Sequence, residues 1–166
     1  NVLTVSTFEM KNNMLTLSRK ESNLYKPGSR LAQKVTRQSG KKIQKIAYAY
    51  NESGQLIRES RKNKPAFFDG IRSESLTYLY GPDGMLKQLE RNTKSTDHGT
   101  SIRKEEYSYN EKELLSEIKI SNEKEELIMT RSLTYLASGA KSLYRETDRD
   151  GLITKLLQYD YKKHYM

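Results

Sequence analysis

Apolar and polar residues alternate along most of this chain, and the alternation is clearest from Ile43 onward. Ile46, Tyr48 and Tyr50 fall on every second position, with small or charged residues between them. Successive side chains of a β-strand point to opposite faces of a sheet, so this spacing places the three large residues on one face. The pattern therefore predicts a strand with one large apolar face and one small or polar face.

The same outline of strand, tight turn and returning strand recurs along the chain. Its copies lie at residues 46–56, 76–86 and 105–115, with weaker ones at 24–31, 133–139 and 157–161. In the copy at 105–115, Glu113 stands at the position of the turn glycine. The second tyrosine or its equivalent stands at positions 25, 50, 80, 109, 135 and 161, which gives intervals of 25, 30, 29, 26 and 26 residues. A period in this range indicates a repeat architecture, in which each unit is one supersecondary element.

The repeat predicts an all-β fold, an antiparallel meander of about ten to twelve strands built from hairpins. An open sheet of that size is expected to be twisted and curved, with a partial barrel as one outcome of the curvature. The whole chain, residues 1–166, is predicted to be a single domain. An irregular first hairpin, with two short strands around an Asn12-Asn13 turn, covers residues 1–24, and the repeats cover residues 24–161. Longer polar loops are expected at residues 62–72 and 92–103.

Three segments leave alternatives. Residues 30–38 are compatible with a strand or a short helix, because their periodicity fits both. The residue types of segment 121–127 favour a helix, but its place in the repeat favours a turn between strands. In segment 148–151, the sequence Asp-Arg-Asp-Gly resembles a calcium loop, yet the missing oxygen ligands favour a tight hairpin turn.

The composition limits the core and singles out tyrosine. Only 34% of the residues are hydrophobic, the mean hydropathy is -0.89, and 12 tyrosines stand against 3 phenylalanines and no tryptophan. Tyrosine contributes apolar area while its hydroxyl stays accessible, so a dry tyrosine face opposite a wet face is expected. The candidate ligand-binding residues on this face are Tyr48, Tyr50, Tyr78, Tyr80, Tyr107 and Tyr109.

The chain is basic, with 30 Lys and Arg against 21 Asp and Glu, a formal charge of +9 and a pI of about 9.5. This balance favours anionic partners, although scattered charges also suit an ordinary solvated surface. The main cluster consists of Arg58, Arg61, Lys62 and Lys64, where a returning strand should reach its distal loop. These residues are the candidate polyanion-binding site.

Candidates for catalysis are few. The chain has no cysteine and two histidines, His98 and His164. Asp97 precedes His98, but adjacent residues do not supply the geometry that acid–base catalysis requires, so a solvated loop histidine is expected. No catalytic residue, metal site or cofactor is predicted, and no apolar run has the length of a transmembrane helix.

The outline Tyr-x-Tyr-(Asn/Asp)-x-x-Gly-x-Leu resembles the YD repeat of RHS proteins and related bacterial surface and toxin-delivery proteins. It is carried by Tyr48, Tyr50, Asn51, Gly54 and Leu56, and by Tyr78, Tyr80, Gly84 and Leu86. The resemblance implies a sheet of hairpins and an extracytoplasmic location, namely the periplasm, the cell surface or the medium. It implies no catalytic residues.

These observations predict a non-enzymatic binding or scaffold module of a bacterial cell-envelope or secreted protein. Its tyrosine-rich face would be presented to a glycan, a peptide, an envelope polymer or an apolar ligand, or would form a homodimer. The alternative is binding of nucleic acid or another polyanion through the basic surface.

Overall fold

The computed structural model describes residues 2–11, 14–28 and 30–161, which form twelve β-strands and one short 3₁₀ turn at Pro65–Phe67. The strands are β1 (Val2–Lys11), β2 (Met14–Tyr25), β3 (Leu31–Gln38), β4 (Lys41–Tyr50), β5 (Leu56–Asn63), β6 (Ile71–Tyr80), β7 (Leu86–Ser95), β8 (Thr100–Tyr109), β9 (Leu115–Asn122), β10 (Leu127–Tyr135), β11 (Lys141–Asp148) and β12 (Ile153–Gln158). They form one sheet in sequence order, with β1 and β12 at its two ends. The predicted all-β antiparallel meander is confirmed.

The structure also decides between the alternatives that the sequence left open. Residues 31–38 are the strand β3, and segment 121–127 contains a turn between β9 and β10. The expected first hairpin is present as β1 and β2, although its strands of 10 and 12 residues are long rather than short. Its predicted Asn12-Asn13 turn lies outside the described residues.

Several predicted distal loops are shorter than expected. Charged and polar residues suggested loops at 62–72 and 92–103, but β5 continues to Asn63, β7 continues to Ser95 and β8 begins at Thr100. Exposed strand positions accept charged side chains because the backbone groups are already paired with neighbouring strands. Polar composition therefore marked the exposed faces of the strands as well as the loops.

Six hairpin turns share one hydrogen-bond pattern. In each, the amide of the first residue donates to the carbonyl of the fifth, and the amide of the fourth donates to the carbonyl of the first. The first residues of these turns are Asn51, Gly81, Asn110, Asn122, Leu136 and Asp148. The fourth residues are Gly54, Gly84, Glu113, Glu125, Gly139 and Gly151, with φ between 61° and 87°. Glycine recurs there because side chains disfavour positive φ.

The chain divides into two compact units. The first unit comprises residues 1–78 and 91–101, and the second comprises residues 79–90 and 102–166. Buried apolar side chains are Val35, Ile43, Ile46 and Leu76 in the first unit and Leu89, Ile120 and Leu133 in the second. The core of each unit is small, as the low apolar content led us to expect. That the chain forms a single domain stays a prediction.

Candidate functional site

In the first unit, the face of the sheet that carries Tyr48, here called the tyrosine face, also carries charged residues. Tyr48 lies directly opposite Glu59, and Ile46 lies opposite Arg61. On the other side of β5, Arg61 lies opposite Glu74. Directly opposite residues of antiparallel strands share a face. The prediction of a dry, consistently apolar face is therefore wrong.

These charged residues form an ion-pair network in the first unit. The Arg61 guanidinium pairs with Glu59, and its Nη1 lies 2.7 Å from Oε2 of Glu74. Nη1 of Arg91 lies 2.8 Å from the other carboxylate oxygen of Glu74. The two glutamate side chains are only 9% exposed, and such buried carboxylates need charged partners. The network has no signal in the linear sequence, because its members come from three strands.

The network also affects ionisation. Burial opposes the charged form of Arg61, but the hydrogen bonds and charges of Glu59 and Glu74 outweigh it and raise the pKa of the guanidinium. Burial is also the main cause of the raised pKa of Tyr48, followed by the negative charge of Glu59. Arg61 therefore remains ionised on a partly buried face, and the neighbouring phenol of Tyr48 remains protonated.

The second tyrosine of several repeats clamps the open end of a hairpin. The Tyr50 hydroxyl, at the end of β4, donates to the carbonyl of Leu31, the first residue of β3, over 2.9 Å. Two further hydroxyls repeat this bond on neighbouring strand pairs, Tyr109 to Leu86 at 2.9 Å and Tyr135 to Leu115 at 2.7 Å. Each tyrosine ends a strand and each leucine begins the strand beside it.

A different contact engages Tyr107. Its hydroxyl donates to Oε2 of Glu105, two residues earlier on the same strand, over 2.7 Å. Burial raises the pKa of Tyr107, and the hydrogen bond to Glu105 raises it further. The Tyr144 hydroxyl similarly donates to Glu146, which lies two residues later on β11. Hydroxyls that serve as internal donors in this way have a structural role.

The structure thus places all six candidate tyrosines on strands, each partly buried rather than fully exposed. Tyr50, Tyr107 and Tyr109 have hydroxyls bonded within their own unit. Burial raises the pKa of Tyr80 as well. Whether any of the six binds a ligand stays a hypothesis, and their contacts favour a role in holding the sheet together.

The predicted basic cluster is divided between two faces. Arg58, Arg61 and Lys62 lie on β5 rather than in a distal loop, and Lys64 follows the end of that strand. Arg61 is paired with glutamates on the tyrosine face, whereas Arg58 and Lys62 are exposed on the opposite face. The prediction that the four residues form one loop cluster is wrong, because side chains alternate along a strand.

The opposite face of the first unit carries a cluster that the linear sequence did not reveal. It consists of Lys20, Arg37, Lys42, Lys45 and Lys62, here called the basic face. Lys45 lies directly opposite Lys62, Arg37 lies opposite Lys42, and Lys20 lies opposite Arg37. Their positions on four neighbouring strands became apparent only from the register.

One end of the basic face contains an open depression of about 340 Å³. Lys42, Lys45 and Lys62 line it together with Lys64. Every charged residue that lines it, within the described part of the chain, is a lysine. The backbone amide of Lys64 donates to the carbonyl of Ile43 over 2.7 Å, which fixes the chain at this position.

The remaining candidates for chemistry are isolated. His98 is exposed in the loop between β7 and β8, where its backbone amide donates to Oγ of Ser95 over 2.9 Å. His164 lies outside the described residues. Asp148 uses its Oδ1 to accept the amides of Asp150 and Leu152, which identifies this segment as a hairpin turn. Residues 2–11, 14–28 and 30–161 contain no group of three or more acidic or histidine side chains arranged to hold a metal.

Within the same part of the chain, no helix has the length and apolar character needed to cross a membrane. Comparison with known proteins adds no identification: no family model matches the sequence, and no curated protein is significantly similar to it. The resemblance to YD repeats therefore stays a prediction that depends on the motif residues.

Proposed function

We propose that this chain is a non-enzymatic scaffold and binding module of a bacterial cell-envelope or secreted protein. The extracytoplasmic location is what the resemblance to YD repeats implies. In this proposal the tyrosines hold neighbouring strands together, and the exposed surface of the sheet contacts the partner.

The observation that carries the scaffold role is the repeated clamp from a strand-ending tyrosine to a strand-starting leucine. The clamp occurs at Tyr50, Tyr109 and Tyr135, always between a hydroxyl and the carbonyl of the neighbouring strand. Each bond joins the two strands of a hairpin at the end opposite its connecting turn. A recurrent residue that satisfies a backbone carbonyl in the same way in three copies supports an architectural function for the repeat.

The same hydrogen bonds argue against the hypothesis that the tyrosines form a ligand-binding surface. A hydroxyl that already donates to a carbonyl is a poor donor for a sugar or peptide, since binding would have to break the internal bond. The partly buried rings also expose less area for stacking than an open platform would. We therefore propose that partners bind elsewhere on the surface.

A second candidate function, polyanion binding, is favoured by the basic face. Three directly opposite pairs of positive residues lie there, and like charges in this arrangement destabilise a sheet. An anionic polymer would relieve that repulsion. This candidate is compatible with the scaffold role, because it uses the other face of the first unit.

Binding assays with three defined probes test the proposal: chitin oligosaccharides, heparin and inorganic polyphosphate. We expect an anionic probe to bind, and we expect Tyr50→Phe to lower the midpoint of thermal unfolding while changing the affinity of the folded protein less than about twofold. Affinities should be measured at a temperature at which the parent and Tyr50→Phe are both fully folded. Loss of binding by Tyr50→Phe at unchanged stability would show that the tyrosine face is the ligand site, and failure of all three probes would contradict the binding role.

A further inference from the structure

The like-charge pairs of the basic face differ from several other charged pairs of the sheet. Arg61 lies opposite Glu74, Glu106 lies opposite Lys119 and Arg131 lies opposite Glu146, so each of these pairs joins opposite signs. Lys45 and Lys62, by contrast, face each other across β4 and β5. The Lys45–Lys62 pair therefore carries an electrostatic cost that these oppositely charged pairs do not.

The lysines of this site lack acidic partners. Among the described residues, no carboxylate lies within 4.0 Å of the ammonium groups of Lys42, Lys45 or Lys62. All three residues are exposed. Lys64 lies with its Nζ 5.6 Å from the centre of the Phe67 ring. Their charges are therefore available to a ligand.

We propose that the depression between Lys42, Lys45, Lys62 and Lys64 is a binding site for the phosphate groups of an anionic polymer, an inference that rests on the polyanion-binding function proposed above. Each lysine ammonium group carries a positive charge and three hydrogen-bond donors. Several such groups together suit the negatively charged oxygens of phosphate. The 340 Å³ depression is on the order of ten times the roughly 30 Å³ that one water occupies, so it accommodates a phosphate with part of its hydration shell.

The polymer continues along the basic face. Arg37 and Lys20 extend the positive surface from Lys42 across β3 and β2. Neighbouring strands are about 4.8 Å apart, so these residues offer successive positive charges along one direction. A chain that carries a phosphate at every short repeat would contact several of them at once, and the contacts would make binding sensitive to salt.

The surroundings favour a phosphate polymer without bases over a nucleic acid. Surfaces that bind single-stranded nucleic acid interleave aromatic platforms with positive charges. The strand positions next to the lysines carry Val35, Ala47 and Ser60 instead. Phe67 is 45% exposed, and Nζ of Lys64 lies 5.6 Å from the centre of its ring. None of the residues that line the depression is aromatic, so the depression itself offers charge without an aromatic platform for base stacking.

Titration with inorganic polyphosphate tests this inference in the full chain. We expect the affinity for polyphosphate to fall with rising salt and to fall at least tenfold in the double variant Lys45→Ala/Lys62→Ala. The matched control, Lys124→Ala/Lys141→Ala, removes the same charge from exposed positions in the second unit and should change the affinity less than threefold. Equal losses in both double variants would overturn the site, since they would show that only net charge matters.

A stability measurement separates loss of the site from loss of folding. Removing Lys45 and Lys62 relieves their repulsion, so the double variant should unfold at the same or a higher temperature than the parent without polyphosphate. Polyphosphate should then raise the midpoint of the parent more than that of the variant. A variant that unfolds at a clearly lower temperature would overturn the assignment of this pair as an electrostatic cost.

Two further probes identify the polymer. A single-stranded DNA oligonucleotide at the same phosphate concentration should bind more weakly than polyphosphate, and tighter binding of the DNA would overturn the choice of a polymer without bases. Heparin tests the proposed function separately. If Lys45→Ala/Lys62→Ala leaves both heparin and polyphosphate binding intact, this site is wrong while the general binding role stands.

Discussion

The Tyr109 hydroxyl donates a hydrogen bond to the backbone carbonyl of Leu86, with the two oxygen atoms 2.9 Å apart. Tyr109 is the last residue of β8 and Leu86 is the first residue of β7, so the bond closes the hairpin at the end opposite its loop. This contact gives a physical reason for the recurrence of the second tyrosine. A phenylalanine would keep the ring but leave the carbonyl without this partner.

We expect Tyr109→Phe to destabilise the protein by about 1 kcal/mol, the net contribution of one hydrogen bond. The ring remains in place, so the change isolates the hydroxyl. Urea unfolding followed by circular dichroism measures the difference. Tyr161→Phe is the control, because Tyr161 is 58% exposed, and its effect should stay within about 0.5 kcal/mol. Equal stability of Tyr109→Phe and the parent would contradict the clamp.

Glu74 connects two arginines of the first unit. Its Oε2 lies 2.7 Å from Arg61 and its Oε1 lies 2.8 Å from Arg91. We expect Glu74→Gln to destabilise the protein by about 1–3 kcal/mol, because charge-assisted hydrogen bonds to a buried group are lost. Chemical denaturation measures this loss. Glu52→Gln changes an exposed turn residue and should have little effect, so similar losses in the two variants would refute the importance of the network.

Glu113 occupies a position at which most of the other turns have glycine. Its φ is 61°, a conformation that costs a side chain roughly 1–2 kcal/mol. Glu113→Gly should therefore stabilise the protein by about 0.5–1 kcal/mol after the extra flexibility of unfolded glycine is subtracted. Gly139→Ala is the converse, because φ is 84° there and a new Cβ meets nothing within 4 Å, so only backbone strain is added. Thermal unfolding should shift in opposite directions for the two variants.

The first residue of a turn often accepts the amides that follow it. Oδ1 of Asn110 accepts the amides of Lys112 and Leu114, each over 3.0 Å, and Leu136 lacks such an acceptor in the equivalent position. Leu136 is 46% exposed, so its replacement loses only part of an apolar contact. We expect Leu136→Asn to stabilise the protein by about 0.5–1 kcal/mol, measured by denaturant unfolding.

Gly81 is the first residue of another of these turns, and the same substitution there should have the opposite effect to Leu136→Asn. A Cβ at Gly81 would lie 2.6 Å from Oδ1 of Asp83 and 2.7 Å from Cε of Lys87. Asp83 already accepts the amide of Met85 over 2.9 Å and so performs the function of the missing asparagine. Gly81→Asn should therefore destabilise the protein. A gain in stability at Gly81 together with a loss at Leu136 would contradict this account of the turns.

Alkaline pH should weaken the fold through Tyr107. Burial and the hydrogen bond to Glu105 raise its pKa in the folded state above the value of about 10 that is typical of an unfolded chain. The folded protein then holds the phenolic proton more tightly than the unfolded chain does. This contribution to stability is complete below about pH 10 and is lost as the pH rises further.

Unfolding measurements between neutral and strongly alkaline pH test this expectation. The free energy of unfolding should decline above about pH 10, and the decline should be smaller in Tyr107→Phe, which has no phenolic proton. Absorbance of tyrosinate during the titration reports the ionisation directly. An identical decline in parent and variant would show that Tyr107 makes no contribution to the alkaline transition.

The repeat pattern was sufficient to predict the class of fold and several local features. The alternation around Tyr48 and Tyr50 predicted strands, and the equivalence of Glu113 with glycine is confirmed by its positive φ. The preference for a turn within segment 121–127 is confirmed as well. These features depend on neighbours within one strand or one turn, so local sequence contains the necessary information.

The predicted character of each face was less successful. Strands alternate, which the sequence shows, but the residues opposite Tyr48 are determined by pairing with another strand. Glu59 therefore enters the tyrosine face without any signal near Tyr48 in the sequence. The basic cluster around Lys62 was divided for the same reason, since Arg61 and Lys62 point to opposite faces.

The sequence by itself determined the repeat, the strands and the positions of the turns, because periodicity and the need for positive φ act over a few residues. Only the tertiary structure decided that Tyr109 clamps Leu86, that Glu74 joins Arg61 to Arg91, and that Lys45 faces Lys62. Each of these contacts depends on the register between strands. A shift of one residue would move every side chain of a strand to the other face, so the register determines which charges meet.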